Sequence, residues 1–181
     1  DLTLENLLDY AEELCYTKED FLIIIEEFTD IDLKSSHKRK VLAYFYGKSG
    51  HNEKQLEILE SNLIYGSDYW DLTDYYIEKG DEDKALEIAI RGITKSQGIK
   101  NELYNFVEKY YENKNEYDKL LDLLKLKVNN RDFKCTAQMK DSTYILLEKY
   151  YKQTKDYKAS KSLLLLRFDI EELVDFELYK D

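Results

Sequence analysis

The chain has 181 residues, 43% of them hydrophobic and 36% charged, so it is long enough to bury a core and too apolar for a disordered protein. Its net charge of -11 at pH 7 argues against binding to nucleic acid or to an anionic membrane, because phosphate groups require clustered Lys and Arg. The longest apolar runs, at residues 21–25 and 163–166, fall far short of the roughly 20 residues of a membrane-spanning helix, so we expect a globular, cytoplasmic protein.

Helices are predicted along nearly the whole chain, because proline is absent and apolar residues recur at intervals of three and four. The helices are expected to pair into hairpins, with one further helix at the end. In chain order, the hairpins are predicted at about residues 2–29, 37–64, 67–95, 101–128 and 139–167, and the last helix at 169–180. The first hairpin has no recognisable turn signature. The whole chain is expected to form a single all-α domain.

A short motif repeats along these predicted hairpins. The residues Tyr75-Tyr76-Ile77-Glu78-Lys79-Gly80 return in similar form at 110–115 and at 150–155, and an earlier copy lies at 45–50. A period of about 30 to 40 residues indicates an array of helical hairpins. The turn between the two helices of each hairpin is predicted at Gly80 and at the equivalent residues of the other copies.

The signature spacing of a known repeat family is present in the third hairpin. The matching residues are Tyr69, Leu72, Thr73, Tyr76, Gly80, Ala85, Ala89 and Gly92. The chain therefore resembles the tetratricopeptide-repeat family over about residues 37–167. The resemblance implies an α-solenoid, a right-handed superhelical array of about five antiparallel hairpins, closed by a capping helix. In the later copies Asn115 and Lys155 replace the turn glycine, and asparagine tolerates the left-handed conformation that glycine adopts there.

Pairs of adjacent tyrosines recur at one position of the repeat. They occur as Tyr75-Tyr76, Tyr110-Tyr111 and Tyr150-Tyr151, at the same place in each copy. Neighbouring helical residues point about 100 degrees apart. We therefore expect the second tyrosine of each pair to pack in the core and the first to lie near the other face of the hairpin.

Residues 69–89 bear a second, fainter resemblance to the helical tail of bacterial and archaeal proteins that carry a SWIM-type zinc finger. The chain has no Cys-x-Cys or Cys-x-His pair, so any zinc or DNA function implied by that resemblance lies outside these residues. The chain begins at Asp1 without a methionine, and we interpret it as part of a longer protein. It is alternatively a regulatory or sensory module of a multidomain protein, such as a peptide-sensing transcription regulator.

Residues suited to catalysis or metal binding are scarce. The only histidines, His37 and His51, lack Cys, Asp or Glu at metal-ligand spacing on a shared helical face. The only cysteines, Cys15 and Cys135, are too few for a disulfide framework and indicate a reducing compartment. No glycine-rich phosphate loop and no nucleophile elbow occurs. We therefore expect a non-enzymatic protein without a metal or a cofactor.

The resemblance also predicts a ligand surface, because the first helix of each hairpin lines a concave groove in this family. The candidate contacts that the repeat alignment places there are Lys40, Tyr44, Lys48, Trp70, Asp74, Ile77, Asn105, Lys109, Lys149 and Lys152. Lysines outnumber acidic residues on this face, which favours a negatively charged protein or peptide as partner. A chance excess of lysine is the alternative, and core packing is the other role open to Trp70. The sequence thus predicts a non-catalytic scaffold that binds through its groove.

Overall fold

The computed structural model describes Tyr10 and residues 13–27, 35–129 and 141–166. Within these ranges all regular elements are helices, which confirms the all-α prediction. The helices are α1 (Lys18–Glu27), α2 (Ser36–Lys48), α3 (Asn52–Glu60), α4 (Gly66–Glu78), α5 (Glu82–Lys95), α6 (Asn101–Lys114), α7 (Tyr117–Asn129), α8 (Asp141–Thr154) and α9 (157–166).

The chain divides into two compact units, Asp1–Leu103 and Tyr104–Asp181, and the division falls within α6. The right-handed superhelix and its continuous concave groove stay predictions. Part of the predicted first hairpin, residues 130–140 between the fourth and fifth predicted hairpins, and the whole of the predicted last helix at 169–180 lie outside the described residues.

The turns of four hairpins share one backbone conformation. Gly50, Gly80, Asn115 and Lys155 have φ angles of 84°, 75°, 57° and 56°, as the repeat alignment predicts for residues at the turn glycine's position. After each of them, the next amide donates a hydrogen bond to the carbonyl of a tyrosine near the end of the preceding helix. The accepting residues are Tyr46, Tyr76, Tyr111 and Tyr151. This six-to-one hydrogen bond is typical of the Schellman motif that ends many helices.

In the first unit, α4 and α5 pack closely because small residues face the crossing. Ala85 and Ala89 are fully buried against α4. A Cβ atom added to Gly92 would lie 2.7 Å from the Cβ of Tyr69 and 2.8 Å from Cδ1 of Leu103. These spacings explain the small residues of the signature: a larger side chain would push the helices apart.

The connections that follow α3 and α5 are joined by backbone hydrogen bonds. The amide of Gln97 donates to the carbonyl of Ile64 at 2.9 Å, and the amide of Gly66 donates to the carbonyl of Gln97 at 2.9 Å. Gly66 is required here, because an added Cβ would lie 2.0 Å from the carbonyl oxygen of Ile99. The ammonium of Lys100, a buried residue, donates to the carbonyl of Ile93 near the end of α5 at 3.1 Å. Positive charge is favourable at the carboxyl end of a helix.

In the second unit, side-chain contacts hold α6, α7 and α8 together. Lys127 at the end of α7 lies 3.9 Å from the carboxylate of Glu108 in α6, and both side chains are buried. The hydroxyl of Tyr151 in α8 donates 3.1 Å hydrogen bonds to the carbonyl of Tyr117 and to the carboxylate of Asp118. Burial, followed by the hydrogen bond to Asp118, raises the pKa of Tyr151. This phenol is therefore a neutral structural contact.

The expectation for the aromatic pairs is confirmed in the second unit and wrong in the first. Tyr111 and Tyr151 are buried, and the tyrosine before each is only partly buried. At the third hairpin the order is reversed, because Tyr75 is buried and Tyr76 is partly exposed. Tyr75 lies two turns after Asp68, on the face of α4 that meets α2. The 100 degree step between neighbouring residues therefore turns the first ring of this pair, and not the second, toward that face.

Candidate functional site

The first helices of two consecutive hairpins, α2 and α4, contact each other through side chains of their first two turns in the first unit. Two groups in the first turns of α2, Ser36 and Arg39, contact Asp68 in the first turn of α4. One turn further along both helices, Lys40 contacts Asp71. The exposed surface of α2 and α4 is the part of the predicted groove that the first unit carries.

On α2, the predicted contacts Lys40, Tyr44 and Lys48 follow one another at intervals of four residues and share one helix face. Lys40 and Lys48 are exposed, whereas Tyr44 is partly buried. The ammonium of Lys48 lies 5.1 Å from the centre of the Tyr44 ring, within the range of a cation–π contact. This face therefore presents an aromatic ring covered by a cation.

On α4, Asp74 is exposed. Trp70 and Ile77 lie on either side of Asp74 in the sequence and are partly buried. Trp70 is therefore neither a fully buried core residue nor a fully exposed one.

An ion pair crosses this surface and changes its charge. Lys40 Nζ lies 2.6 Å from Asp71 Oδ1, and Asp71 is not among the positions that the repeat alignment predicts. Burial raises the pKa of Asp71, Lys40 opposes this shift, and the charges of Asp68 and Asp74 add to it. Since Asp71 offsets the charge of Lys40, the lysine excess predicted for the α2 and α4 surface is smaller than the sequence indicates.

Beneath that ion pair lies a buried cluster that sequence reasoning missed. Arg39 Nη2 lies 2.8 Å from Asp68 Oδ1, and both side chains are 5% exposed. The hydroxyl of Ser36 donates to the same oxygen, while the amides of Ile64 and Tyr65 donate to Oδ2 at 3.1 and 2.8 Å. Asp68 therefore joins the start of α4 to α2. An aspartate placed to accept amides at the start of a predicted helix was the signal that could have identified it.

Hydrogen bonding keeps the Asp68 carboxylate ionised. Burial by itself raises the pKa of Asp68, but hydrogen bonds from Ser36 and from the amides of Tyr65 and Ile64, together with the charge of Arg39, hold its pKa below the usual value. The adjoining cavity has a volume of only about 10 Å³, close to the size of one water site. The cluster is therefore a structural contact between α2 and α4, and the cavity beside it has no room for a ligand larger than water.

The second unit carries the other predicted contacts. Asn105 and Lys109 are exposed on α6, and Lys149 and Lys152 are exposed on α8. Lys152 forms a 2.6 Å ion pair with Glu148 one turn earlier. Lys109 and Lys149 supply positive charge on two helices of this unit, whereas Glu148 offsets the charge of Lys152.

The remaining reactive side chains form no catalytic arrangement among the described residues. His51 Nδ1 lies 3.1 Å from the hydroxyl of Ser49 in the turn after α2, and His37 is exposed. Cys15 is buried, and burial together with Asp20 raises the pKa of its thiol. Within the same ranges, no group of three or more His, Cys, Asp or Glu side chains could hold a metal ion. Cys135 lies outside the described residues.

No described helix has the length and apolar content needed to cross a membrane. No protein-family model matches the sequence, and comparisons with curated proteins and with solved structures find no match either. The function proposed below therefore depends on the geometry of the described surfaces.

Proposed function

We propose that the protein is a non-catalytic interaction scaffold that binds a protein or peptide segment on the exposed surface of α2 and α4. The observation that carries the proposal is the placement of Tyr44, Trp70 and Ile77, which are partly buried on two helices that contact each other through their first two turns. Aromatic and aliphatic side chains held in this way supply most of the binding energy in many interfaces. Polar and charged groups on the same surface supply selectivity.

The preferred ligand in this proposal is a segment that carries both apolar and acidic side chains. The Lys40 side chain is 44% exposed, although it contacts Asp71. An ammonium group has three N–H donors, so an incoming carboxylate is able to bind the same group. The raised pKa of Asp71 favours this exchange, because the Asp71 carboxylate gains less from ionisation than an ordinary aspartate.

Fluorescence of Trp70, the single tryptophan of the chain, tests the proposal directly. Pools of acidic and basic peptides are titrated into the protein, and a saturable change with acidic pools is expected. Lys40→Glu should weaken this binding by about tenfold, equivalent to about 1.4 kcal/mol. Lys54→Glu is the matched control, because Lys54 is an exposed lysine on α3 that likewise contacts one carboxylate.

The Lys54 variant should bind as the unaltered protein does. The absence of any saturable change with either type of pool would count against binding on this surface. Equal weakening by Lys40→Glu and Lys54→Glu would show that the net charge of the chain, and not this site, controls the affinity.

A further inference from the structure

The ion pair between Lys40 of α2 and Asp71 of α4 has two members that differ in exposure. Lys40 Nζ lies 2.6 Å from Asp71 Oδ1, and the two side chains are 44% and 14% exposed, respectively. Lysine carries its ammonium group on a flexible four-carbon stem, whereas the carboxylate of an aspartate lies close to its own helix. A ligand is therefore able to draw Lys40 outward, while Asp71 stays where α4 holds it.

The helices packed beside Asp71 give its negative charge little support. From α3, the apolar side chains of Ile58 and Leu59 line the small cavity next to it. From α2, Arg39 lines the same cavity, but this guanidinium forms its ion pair with Asp68. Among the described side chains, the contact with the exposed lysine is therefore the main compensation for the charge of Asp71.

Two further carboxylates act on Asp71 from its own helix. Asp68 lies three residues before it and Asp74 three residues after it, which places both within one turn. Burial raises the pKa of Asp71, the charges of Asp68 and Asp74 add to this shift, and Lys40 opposes it. If Lys40 moves away, the pKa of Asp71 rises further, because the group that favours its ionised form is lost.

A ligand carboxylate that binds Lys40 in this way leaves Asp71 buried without its cation. A charged group in that situation is strongly destabilised, and a titratable group avoids the cost by changing its protonation state. The negative charge of the ligand, brought near Asp71 by Lys40, acts in the same direction. Protonation of Asp71 is therefore expected to accompany the exchange.

We propose that a ligand carboxylate replaces Asp71 as the partner of Lys40, and that Asp71 takes up one proton from solvent as this happens. The coupling, which rests on the function proposed above, adds a regulation to the same surface. The O–H bond of Asp71 is the one covalent bond that forms, and the solvent supplies its proton. Affinity for an acidic ligand thus depends on pH through a residue that the ligand does not contact directly.

The direction of this pH dependence follows from the two states of Asp71. Its pKa is higher in the complex than in the free protein, so the complex binds the proton more tightly. Affinity should therefore rise as the pH falls through the pKa of the complex, and stop rising below the pKa of the free protein. Asp68 stays ionised over this range, because its pKa is held below the usual value.

Isothermal titration calorimetry between pH 7 and pH 4.5 tests the coupling. The probe is a peptide from the acidic pool, synthesised with cysteic acid in place of each aspartate and glutamate, because its sulfonates stay ionised throughout this range. Affinity should increase about threefold or more over the range, and by no more than about tenfold per pH unit, the limit for one proton. Titrations in two buffers with different ionisation enthalpies measure the proton uptake itself.

Two variants assign the effect to Asp71. Asp71→Asn imitates the protonated carboxyl group, so it should bind the peptide severalfold more tightly at pH 7 and show no further increase at pH 4.5. Asp74→Asn is the matched control, because it removes an exposed carboxylate one turn away on the same helix and should keep the pH dependence. Circular dichroism of each variant checks that the helices are retained.

A measurement without ligand tests the same contact independently. Carbon NMR of the side-chain carboxyl groups follows the titration of Asp71 in the unaltered protein and in Lys40→Met, which removes the cation and keeps an unbranched side chain. The pKa of Asp71 should be higher in Lys40→Met by about one unit or more, because an opposite charge at this distance is lost.

The possible outcomes distinguish the coupling from the proposed function. Peptide binding without proton uptake or pH dependence would leave the proposed function intact and overturn the coupling, since Lys40 would then hold both carboxylates at once. An unchanged pKa of Asp71 in Lys40→Met would overturn the coupling as well. The absence of binding by any acidic peptide would overturn the proposed function, and the coupling with it.

Discussion

Asp68 in α4 forms a 2.8 Å ion pair with Arg39 in α2, and both side chains are almost fully buried. The same carboxylate accepts the amides of Ile64 and Tyr65 at the start of α4. One side chain therefore fixes both the point where α4 begins and the side on which α2 packs. The Lys40–Asp71 ion pair, on the surface proposed to bind ligand, joins the same two helices one turn further along. The contact between Asp68 and Arg39 therefore helps to hold Lys40 close to Asp71.

Removing one member of the buried pair should destabilise the protein strongly. Arg39→Met is expected to lower the free energy of unfolding by about 3 kcal/mol, because it leaves a buried carboxylate without its cation. Urea denaturation followed by circular dichroism measures the change. Lys40→Met is the control, since Lys40 is 44% exposed and its loss should cost less than about 1 kcal/mol. Similar losses in the two variants would contradict the importance given to burial.

Stability should depend on Asp68 in acid. The pKa of Asp68 is lower in the folded protein than the value of about 3.9 expected for an unfolded aspartate. Below about pH 4 the unfolded chain therefore binds the proton first. The stabilising contribution of Asp68 is present above that pH and is lost as the pH falls through the folded-state pKa. Asp68→Asn should accordingly flatten the fall in unfolding free energy measured from pH 5 to pH 2.

The neighbouring carboxylate should respond with the opposite sign. The pKa of Asp71 is raised in the folded protein, so the folded state binds this proton more tightly than the unfolded chain does. As the pH falls through that raised pKa toward about 3.9, Asp71 adds to stability. Asp71→Asn should remove this gain and leave a steeper acid loss than in the unaltered protein. A flatter profile in Asp71→Asn would show that the Lys40 contact outweighs burial.

The turns were predictable from the sequence because each depends on local backbone conformation. A glycine recurring after a pair of aromatic residues predicts a left-handed residue, and the alignment extends that prediction to Asn115 and Lys155. The φ angles of these two residues, 57° and 56°, agree with it. The presence of helices was likewise predictable, because the spacing of apolar residues and the absence of proline are features of the local sequence.

Contacts between repeats were not predictable in the same way. The repeat alignment gives Lys40 no partner in the next hairpin, whereas the structure joins Lys40 to Asp71. Which side chains of two neighbouring helices meet depends on how far one helix is shifted along the other. A motif that repeats within one hairpin gives no information about that shift. The buried partner of Arg39 was missed for the same reason. A lysine count along one predicted face therefore overstates the charge of the surface.

Lys155 should be a position where glycine increases stability. It has a φ of 56°, a conformation that costs a residue with a side chain about 1–2 kcal/mol and costs glycine little. After allowance for the greater flexibility of glycine in the unfolded chain, Lys155→Gly should raise the unfolding free energy by up to about 1 kcal/mol. Lys149→Gly, the same change within α8, should lower it by about 1 kcal/mol. A loss of stability in both variants would contradict a left-handed backbone conformation at Lys155.

Two helical glycines should respond to alanine in opposite ways. An added Cβ at Gly92 would lie 2.7 Å from the Cβ of Tyr69, an atom fixed to the backbone of α4, so Gly92→Ala should lower the unfolding free energy by about 1–3 kcal/mol. An added Cβ at Gly47 would meet only the flexible end of the Gln55 side chain, at 2.6 Å, which is able to turn away. Alanine favours the helix over glycine, so Gly47→Ala should raise the unfolding free energy by up to about 1 kcal/mol. Thermal and urea denaturation of the two variants provide the comparison. Equal effects would mean that α4 and α5 do not approach each other as closely at Gly92 as the structure shows, because only that close approach distinguishes the two positions.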